Sequence, residues 1–480
     1  MKLNKKVNVP KVPVFTHGGA VASNINAIKQ LRRAVMATML WEDTFYEDGV
    51  EIAERIGSLV KQVPAKVAAD LAIELRTKGK LRHVPLKVVR EMARADAHKA
   101  FVADTLSAVI QRPDELAEFL SIYWKEKKQP LSAQVKKGLA RAFVKFDEYS
   151  LAKYNRDGAI KLRDVLFLCH AKPLDVDQEK LWKKLVGGYC EKCFKKESEH
   201  QKARHPFVEA KLATPETWEV ALSATKGEGK TEAWTELLKG DKVGAMALLK
   251  NLRNMTTAGV SDDLIKKALR ACNPERVLPF RFITAAKHAP KFEPELEQVM
   301  FKCLANRPKL TGKTVVVVDV SGSMGGPVSS KSENTRLDTA AALAMLVREL
   351  SDNVVIYATA GSDSSRVHRT ELVPARRGFA LKDEITKKAH TLGGGGIFVK
   401  QAMDYIAANE KNVERVIVIC DSQDCDMVNK PDSAKAVGKY NYLMDISSEK
   451  NGIGYSKFTV INGFSESVID YIQATEQLES

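Results

Sequence analysis

The residues best placed to do chemistry are Asp319, Ser321 and Ser323, in the run Asp319-Val320-Ser321-Gly322-Ser323-Met324. A carboxylate and two hydroxyls leaving one tight turn are hard oxygen donors. They suit Mg²⁺, which keeps several waters and takes few protein oxygens. The preceding Val315-Val316-Val317-Val318 is a continuous β-branched run, as in a parallel strand buried on both faces. The turn therefore falls at a C-terminal strand end, where open parallel sheets bind ligands. A second carboxylate, Asp421, ends the apolar run Val416-Ile417-Val418-Ile419-Cys420 and is expected at the same crevice.

Other chemistry is weaker. Cys190-Glu191-Lys192-Cys193, with His200 and His205, raises a zinc reading. The spacing C-x₂-C-x₆-H-x₄-H is too short for a two-Cys two-His finger, which needs about a dozen residues between its pairs. A helix–loop with free thiols is expected there, a tight zinc knuckle being the alternative. A redox CxxC would need a βαβ context that is missing. Gly393–Gly396 lacks the Lys-Ser/Thr of a phosphate loop, and no strand immediately precedes it. Neither Ser321 nor Ser323 sits in a GxSxG elbow. Catalysis is not expected.

The elements that position these residues fall into two textures. The 480 residues are too many for one ordinary core, so two or three domains are expected. From about residue 20 to 305, amphipathic stretches of helical spacing follow one another, among them Ala65–Thr77, Ser132–Phe146, Lys161–Cys169, Asp241–Leu252 and Pro279–His288. So many short helices cannot form one bundle and point to stacked helix pairs, although no strict sequence period is visible. Near residue 308 the pattern changes to alternating strands and helices, the signature of a doubly wound α/β domain. The reading is a basic segment over 1–19, a helical-repeat domain over 20–308 and an α/β domain over 309–480.

Charge divides the same way. Lys and Arg number 75 against 60 Asp and Glu, a net +15. Residues 1–300 hold 53 against 38, and residues 301–480 hold 22 against 22. An excess confined to the helical part suggests an acidic partner for that part alone. Seven Cys exclude a disulfide scaffold. No secretory h-region follows the basic N-terminus, and no apolar run is long enough to span a bilayer. A cytoplasmic protein is expected.

Tyr154-Asn155-Arg156-Asp157-Gly158, then Leu162 to Pro173 (LRDVLFLCHAKP), Gly244 to Thr256 (GAMALLKNLRNMT) and Asn273 to Phe280 (NPERVLPF) precede the DxSxSM strand in order. With Ser23–Asn26 and Trp41–Tyr46 near the start, this combination resembles the TROVE domain of the Ro autoantigen family. DxSxS with a strand-end Asp about a hundred residues on resembles the metal-ion-dependent adhesion site of the von Willebrand factor A domain. The resemblance covers about residues 15–475 and suggests a prokaryotic or phage relative. It implies a HEAT-like helical ring closed by the A domain, with small noncoding (Y-like) RNA on the basic outer surface. Single-stranded ends of misfolded RNA would enter the central hole. An exoribonuclease partner, one protein chain per ribonucleoprotein and a role in noncoding RNA quality control are further implications.

By the same resemblance, the RNA contacts fall on Lys153, Arg156, Lys161, Arg163, His170 and Lys172, and less securely on Arg253 with Asn254. A solvated basic helix face would look alike, and His170 could instead be a half-buried structural histidine. Trp182–Lys196 is a further basic run. The metal site would use Asp319, Ser321, Ser323 and Asp421. The family pattern also supplies a Thr from a Gly-Gly-Thr loop, and here Ile397 stands in that place without a side-chain oxygen. A rival reading is a metal-dependent protein-interaction adaptor for an ATPase or chaperone. It has no need of positive charge confined to the helices.

Overall fold

The structure, a computed structural model, describes residues 15–16, 26–36, 48–200, 203, 205–223, 225, 229–275, 277, 279–305, 307–392, 394–426, 434–447, 452, 457–463 and 467–479. Most of the N-terminal basic segment, Ser23–Ile25, Trp41–Tyr46, Arg276, Leu278 and Gly393 lie outside these residues. The chain divides into two compact units, one of residues 53–271 and one of residues 1–52 with 272–480.

The unit over 53–271 is helical, as its periodicity predicts. Helices Ala65–Thr77, His83–Ala93, Lys99–Val109, Asp114–Tyr123, Ala133–Phe143 and Leu162–Cys169 form its first part. Alternate helices pack on each other, Ala65–Thr77 on Lys99–Val109 and Lys99–Val109 on Ala133–Phe143. His83–Ala93 packs on Asp114–Tyr123, which packs on Leu162–Cys169. This gives two layers of stacked helix pairs.

The period that residue identities hide is present in the contacts. Arg76–Glu115, Arg82–Glu118, Arg90–Glu126, Arg141–Asp104 and Lys184–Glu148 are ion pairs separated by 36 to 39 residues. Lys145 to the Ile110 carbonyl and Gln178 to the Val144 carbonyl add separations of 35 and 34. Each bridges one helix pair to the next. Gly138 permits a close approach, since a Cβ there would lie 2.9 Å from Leu106 Cβ and 3.0 Å from the Ala103 oxygen.

Sequence reading missed or displaced some elements. Glu148–Tyr154 is helical, but its seven residues are too few for a clear periodicity. The helix expected from Asp241 starts at Ala245, because Asp241 adopts φ 51° and turns the chain. Cys190 and Cys193 are not on a helix–loop. They flank a turn between the antiparallel bridges Tyr189–Lys196 and Cys190–Glu209.

The other unit is built on a six-stranded sheet. Its strands are β1 (Leu310–Asp319), β2 (Ser351–Ser362), β3 (Val367–Leu372), β4 (Val413–Cys420), β5 (Tyr440–Asp445) and β6 (Thr459–Asn462). Their order is β3-β2-β1-β4-β5-β6, with only β3 antiparallel. Val315–Val318 and Val416–Ile419 are fully buried, as the apolar runs predict. β3 was not expected, because its residues are mostly exposed and it pairs on one side only. Strand order reverses between β1 and β4, so their C-terminal ends open a crevice.

Among the described residues before 308, helices Ala27–Met36, Pro279–His288 and Glu293–Leu304 belong to this unit. Ala27–Met36 sends Arg33 into a buried ion pair with Asp445 at the end of β5. Pro279–His288 packs on Arg336–Glu349, with Thr284 Oγ1 3.0 Å from Asn334 Oδ1. Glu297, on Glu293–Leu304, accepts the Phe379 amide at 2.9 Å.

Candidate metal crevice and basic helical face

Asp319 ends β1 and Asp421 follows β4, so adjacent strands bring both carboxylates to the crevice, fully buried. Asp319 Oδ1 accepts the Ser321 amide at 2.8 Å, which holds the turn. Its Oδ2 is buried without a hydrogen-bond partner. Ser321 Oγ lies 3.3 Å from Ser323 Oγ, and Ser323 Oγ donates to Asp421 Oδ2 at 2.6 Å. Burial, and then the charge of Asp421, push the Asp319 carboxyl well above the usual carboxylate range. An orphaned carboxylate oxygen flanked by two hydroxyls is a donor set for a hard cation. Asp421, already bonded through Ser323, fits an outer position. All four expected residues thus converge.

Two features of the crevice were not read from the sequence. Arg336, the first residue of Arg336–Glu349, buries its guanidinium and donates Nη1 to Asp421 Oδ2 at 3.2 Å. The glycine loop lies directly against the DxSxS turn: a Cβ on Gly322 would come within 2.5 Å of the Gly394 oxygen. Ile397, at the position of the family's Thr, is 1% exposed and packs with Val315, Val317, Val399 and Met403. It contributes to the core, as an apolar residue must, and offers the crevice no oxygen.

The basic candidates lie on the helical unit. Lys153, on Glu148–Tyr154, is half-buried, with Nζ 5.9 Å from the Tyr149 ring centre and 5.8 Å from that of Tyr154. Arg156 is exposed in the following turn. Lys161 is half-buried and pairs with Asp157 at 2.7 Å, while Arg163 is exposed and 3.8 Å from Asp164. His170 is exposed, at φ 53°, and caps the C-terminus of Leu162–Cys169, so it is not a buried structural histidine. Lys172 is exposed beyond it.

His170 also lines a cleft of about 530 Å³ with Trp124, Lys128, Lys136, Phe167 and Leu168. Phe167 is 58% exposed, and Lys128 Nζ lies 5.4 Å from the Trp124 ring centre. The combination of aromatic faces and lysines was missed in the sequence, although the exposed pair Phe167-Leu168 lies within Leu162 to Pro173. Arg253 and Asn254 are exposed and line a separate open cleft of about 1310 Å³ with Trp218 and Trp234, whose rings stack 5.9 Å apart.

The charge excess sharpens on this unit. Residues 53–271 hold 42 Lys and Arg against 29 Asp and Glu, or +13, and the remaining residues hold 33 against 31, or +2.

Residues 203–371 match the TROVE domain family. The chain is similar to telomerase protein component 1 of Mus musculus, 37% identical over 92 residues, and of Rattus norvegicus, 35% identical over 92 residues. Those matches cover 18% of this chain and 3% of each relative's length. In fold the chain is similar to the crystal structure of the Deinococcus radiodurans RO (RSR) protein, with a TM-score of 0.56 and 16% identity over 94% of this chain and 100% of that one. No helix among the described residues is long and apolar enough to cross a membrane.

Proposed function

We infer that the chain is a TROVE-domain protein of the Ro type and an RNA-binding component of a ribonucleoprotein. The observation that carries this reading is the +13 on residues 53–271 against +2 elsewhere. Phosphate neutralisation with counterion release needs such an excess on the surface that meets RNA. In this reading a small Y-like RNA engages Lys153, Arg156, Lys161, Arg163, His170 and Lys172. The ion pairs of Lys161 and Arg163 are solvent-accessible and weak, so phosphates can displace them. Single-stranded RNA ends engage the aromatic and basic clefts, where bases stack on Trp and Phe rings. Recognition is by shape and backbone rather than by groove reading. The role is noncoding RNA stability or quality control in the cytoplasm, with an exoribonuclease as protein partner.

The crevice has a separate part in this proposal. Asp319, Ser321 and Ser323 would hold a divalent cation such as Mg²⁺, with Asp421 outside them. The cation would offer an open position to an acidic side chain of a protein partner. The near-neutral charge of this unit favours a protein ligand over RNA there, which is what remains of the adaptor reading.

The test is RNA binding across a salt series. Changing Lys153, Arg156, Lys161 and Arg163 together to Ala should weaken binding at low salt and make the log–log slope shallower by about 3. An unchanged slope removes this face from the RNA interface.

A further inference from the structure

The two cysteines and two histidines that the spacing argument set aside converge in space. The ligand atoms of Cys190, Cys193, His200 and His205 all lie within 4.8 Å of one another. Cys193 Sγ is 3.4 Å from His200 Nδ1, and Cys190 Sγ is 3.8 Å from His205 Nδ1. A tetrahedral zinc with Zn–S near 2.3 Å and Zn–N near 2.0 Å has donor–donor edges of about 3.3–3.8 Å. The donors therefore stand close to the separations such an ion imposes. We propose that Cys190, Cys193, His200 and His205 form a closed structural zinc site.

The backbone is arranged for it. Gly187 and Gly188, at φ 83° and 76°, turn the chain out of helix Val176–Val186. The Cys190 amide donates to the Lys195 oxygen at 2.9 Å, and the Phe194 amide to the Cys190 oxygen at 2.8 Å. These bonds close a tight turn with both thiols on it, and Phe194 takes φ 52° to complete it. The Glu191 amide donates to the Val208 oxygen at 2.8 Å, which brings the chain after His205 back beside the turn. His200 sets its Nε2 2.9 Å from the His205 oxygen. That bond assigns the proton to Nε2 and leaves Nδ1 as the donor facing Cys193, the outer support that metal-binding histidines use. His205 Nδ1 is also 3.3 Å from the Pro206 oxygen, a contact it gives up on taking the metal.

The segment also needs a staple. Among its described residues from 187 to 217, the only buried apolar side chains are Cys190 and Ala210. So little apolar burial does not hold a chain of this length, and a metal is one of the few substitutes. Two sulfurs and two imidazoles in tetrahedral reach select zinc over the hard cations suited to the DxSxS crevice. Four protein donors leave no open position, so the site is structural rather than catalytic. A two-Cys two-His finger would need about a dozen residues between its pairs. Here a tight turn, the bridge Tyr189–Lys196 and the one-turn helix Glu197–His200 span the gap in six residues.

The test is metal analysis and cobalt substitution on the full chain, purified without a metal-affinity tag. The expected result is stoichiometric zinc that dialysis does not remove. The cobalt form should show the strong visible bands of a four-coordinate site and a thiolate-to-cobalt band. Cys190→Ser with Cys193→Ser should lower bound zinc about tenfold or more. His205→Cys keeps four donors, so it should retain zinc and strengthen the thiolate band, which separates ligand loss from misfolding. Substoichiometric zinc in the parent, or a weak six-coordinate cobalt spectrum, overturns the proposal.

Discussion

Arg336 and Asp421 form a buried ion pair at the mouth of the β1–β4 crevice, Nη1 to Oδ2 at 3.2 Å, with side chains 2% and 0% exposed. The guanidinium compensates one of the two crevice carboxylates. Asp319, with its orphaned Oδ2, is the one left in need of a cation or a proton. Replacing Arg336 by Met keeps the volume but removes the guanidinium charge from beside Asp421. Loss of one partner of a buried pair costs about 3–5 kcal/mol, so the thermal midpoint of this unit should fall by several degrees. Mg²⁺ should then raise the midpoint of the variant more than that of the parent, because it can take up the extra carboxylate charge. Differential scanning fluorimetry with and without MgCl₂ reads both effects, and equal Mg²⁺ shifts would count against cation binding in the crevice.

A second prediction separates stacking from charge. Trp124 and Phe167 line the same cleft, and Phe167 is 58% exposed, so its truncation removes little core. Changing both to Ala should weaken binding of a single-stranded oligonucleotide by about 1–3 kcal/mol per stacked base. The salt slope should stay as it was, since no phosphate contact is lost. Fluorescence anisotropy across a KCl series distinguishes this pattern from the shallower slope expected of the four-residue basic variant. A parallel loss of slope would mean that the cleft works through Lys128 and Lys136 instead.

The third prediction concerns the helix stack. Gly to Ala inside a helix is usually stabilising by about 1 kcal/mol. At Gly138 the sign should reverse, because the new Cβ would stand 2.9 Å from Leu106 Cβ and 3.0 Å from the Ala103 oxygen. Overpacking of this kind costs about 1–3 kcal/mol. Hydrogen exchange should show faster opening of Lys99–Val109 and Ala133–Phe143 in Gly138→Ala. Slower exchange in both helices would show that the stack has room to spare.

How far the sequence could be read depended on whether the signal was local. Val315–Val318 announces a buried strand by itself, and a strand end next to a second apolar strand places Asp319 and Asp421 together. Arg336 carries no such signal, since an arginine in the first turn of a helix is ordinarily solvated; its burial follows from where β4 ends. Arg33 reaches Asp445 across 412 residues, which no local pattern encodes. The helical repeat was invisible because its period is kept by which helix sits above which, and by pairs such as Arg76–Glu115, rather than by repeated residue types. Cys190 and His205 meet because the turn completed by Phe194 and the bridge Cys190–Glu209 fold the chain back.

The last prediction uses acid. Glu126 bridges Arg90 and Arg94, and its carboxyl is drawn down to about 2, chiefly by the hydrogen bond from Arg90, with Arg94 adding to it against the effect of burial. A carboxyl whose folded value lies below its ordinary 4.5 contributes stability that is fully present above about 4.5. That contribution is lost as pH falls towards 2. Because Glu126 is 59% exposed, solvent and salt screen the interaction, and the effect should shrink in 0.5 M salt, an ionic strength at which the Debye length is only about 4 Å. Glu126→Gln should therefore lower the unfolding midpoint of the helical unit at neutral pH and converge on the parent between pH 4.5 and 2. Arg90 keeps Glu91 at 2.5 Å in the variant, so the fold itself should survive. Urea unfolding followed by circular dichroism at several pH values checks this, and a constant offset across the acid range would show that Glu126 acts through packing rather than charge.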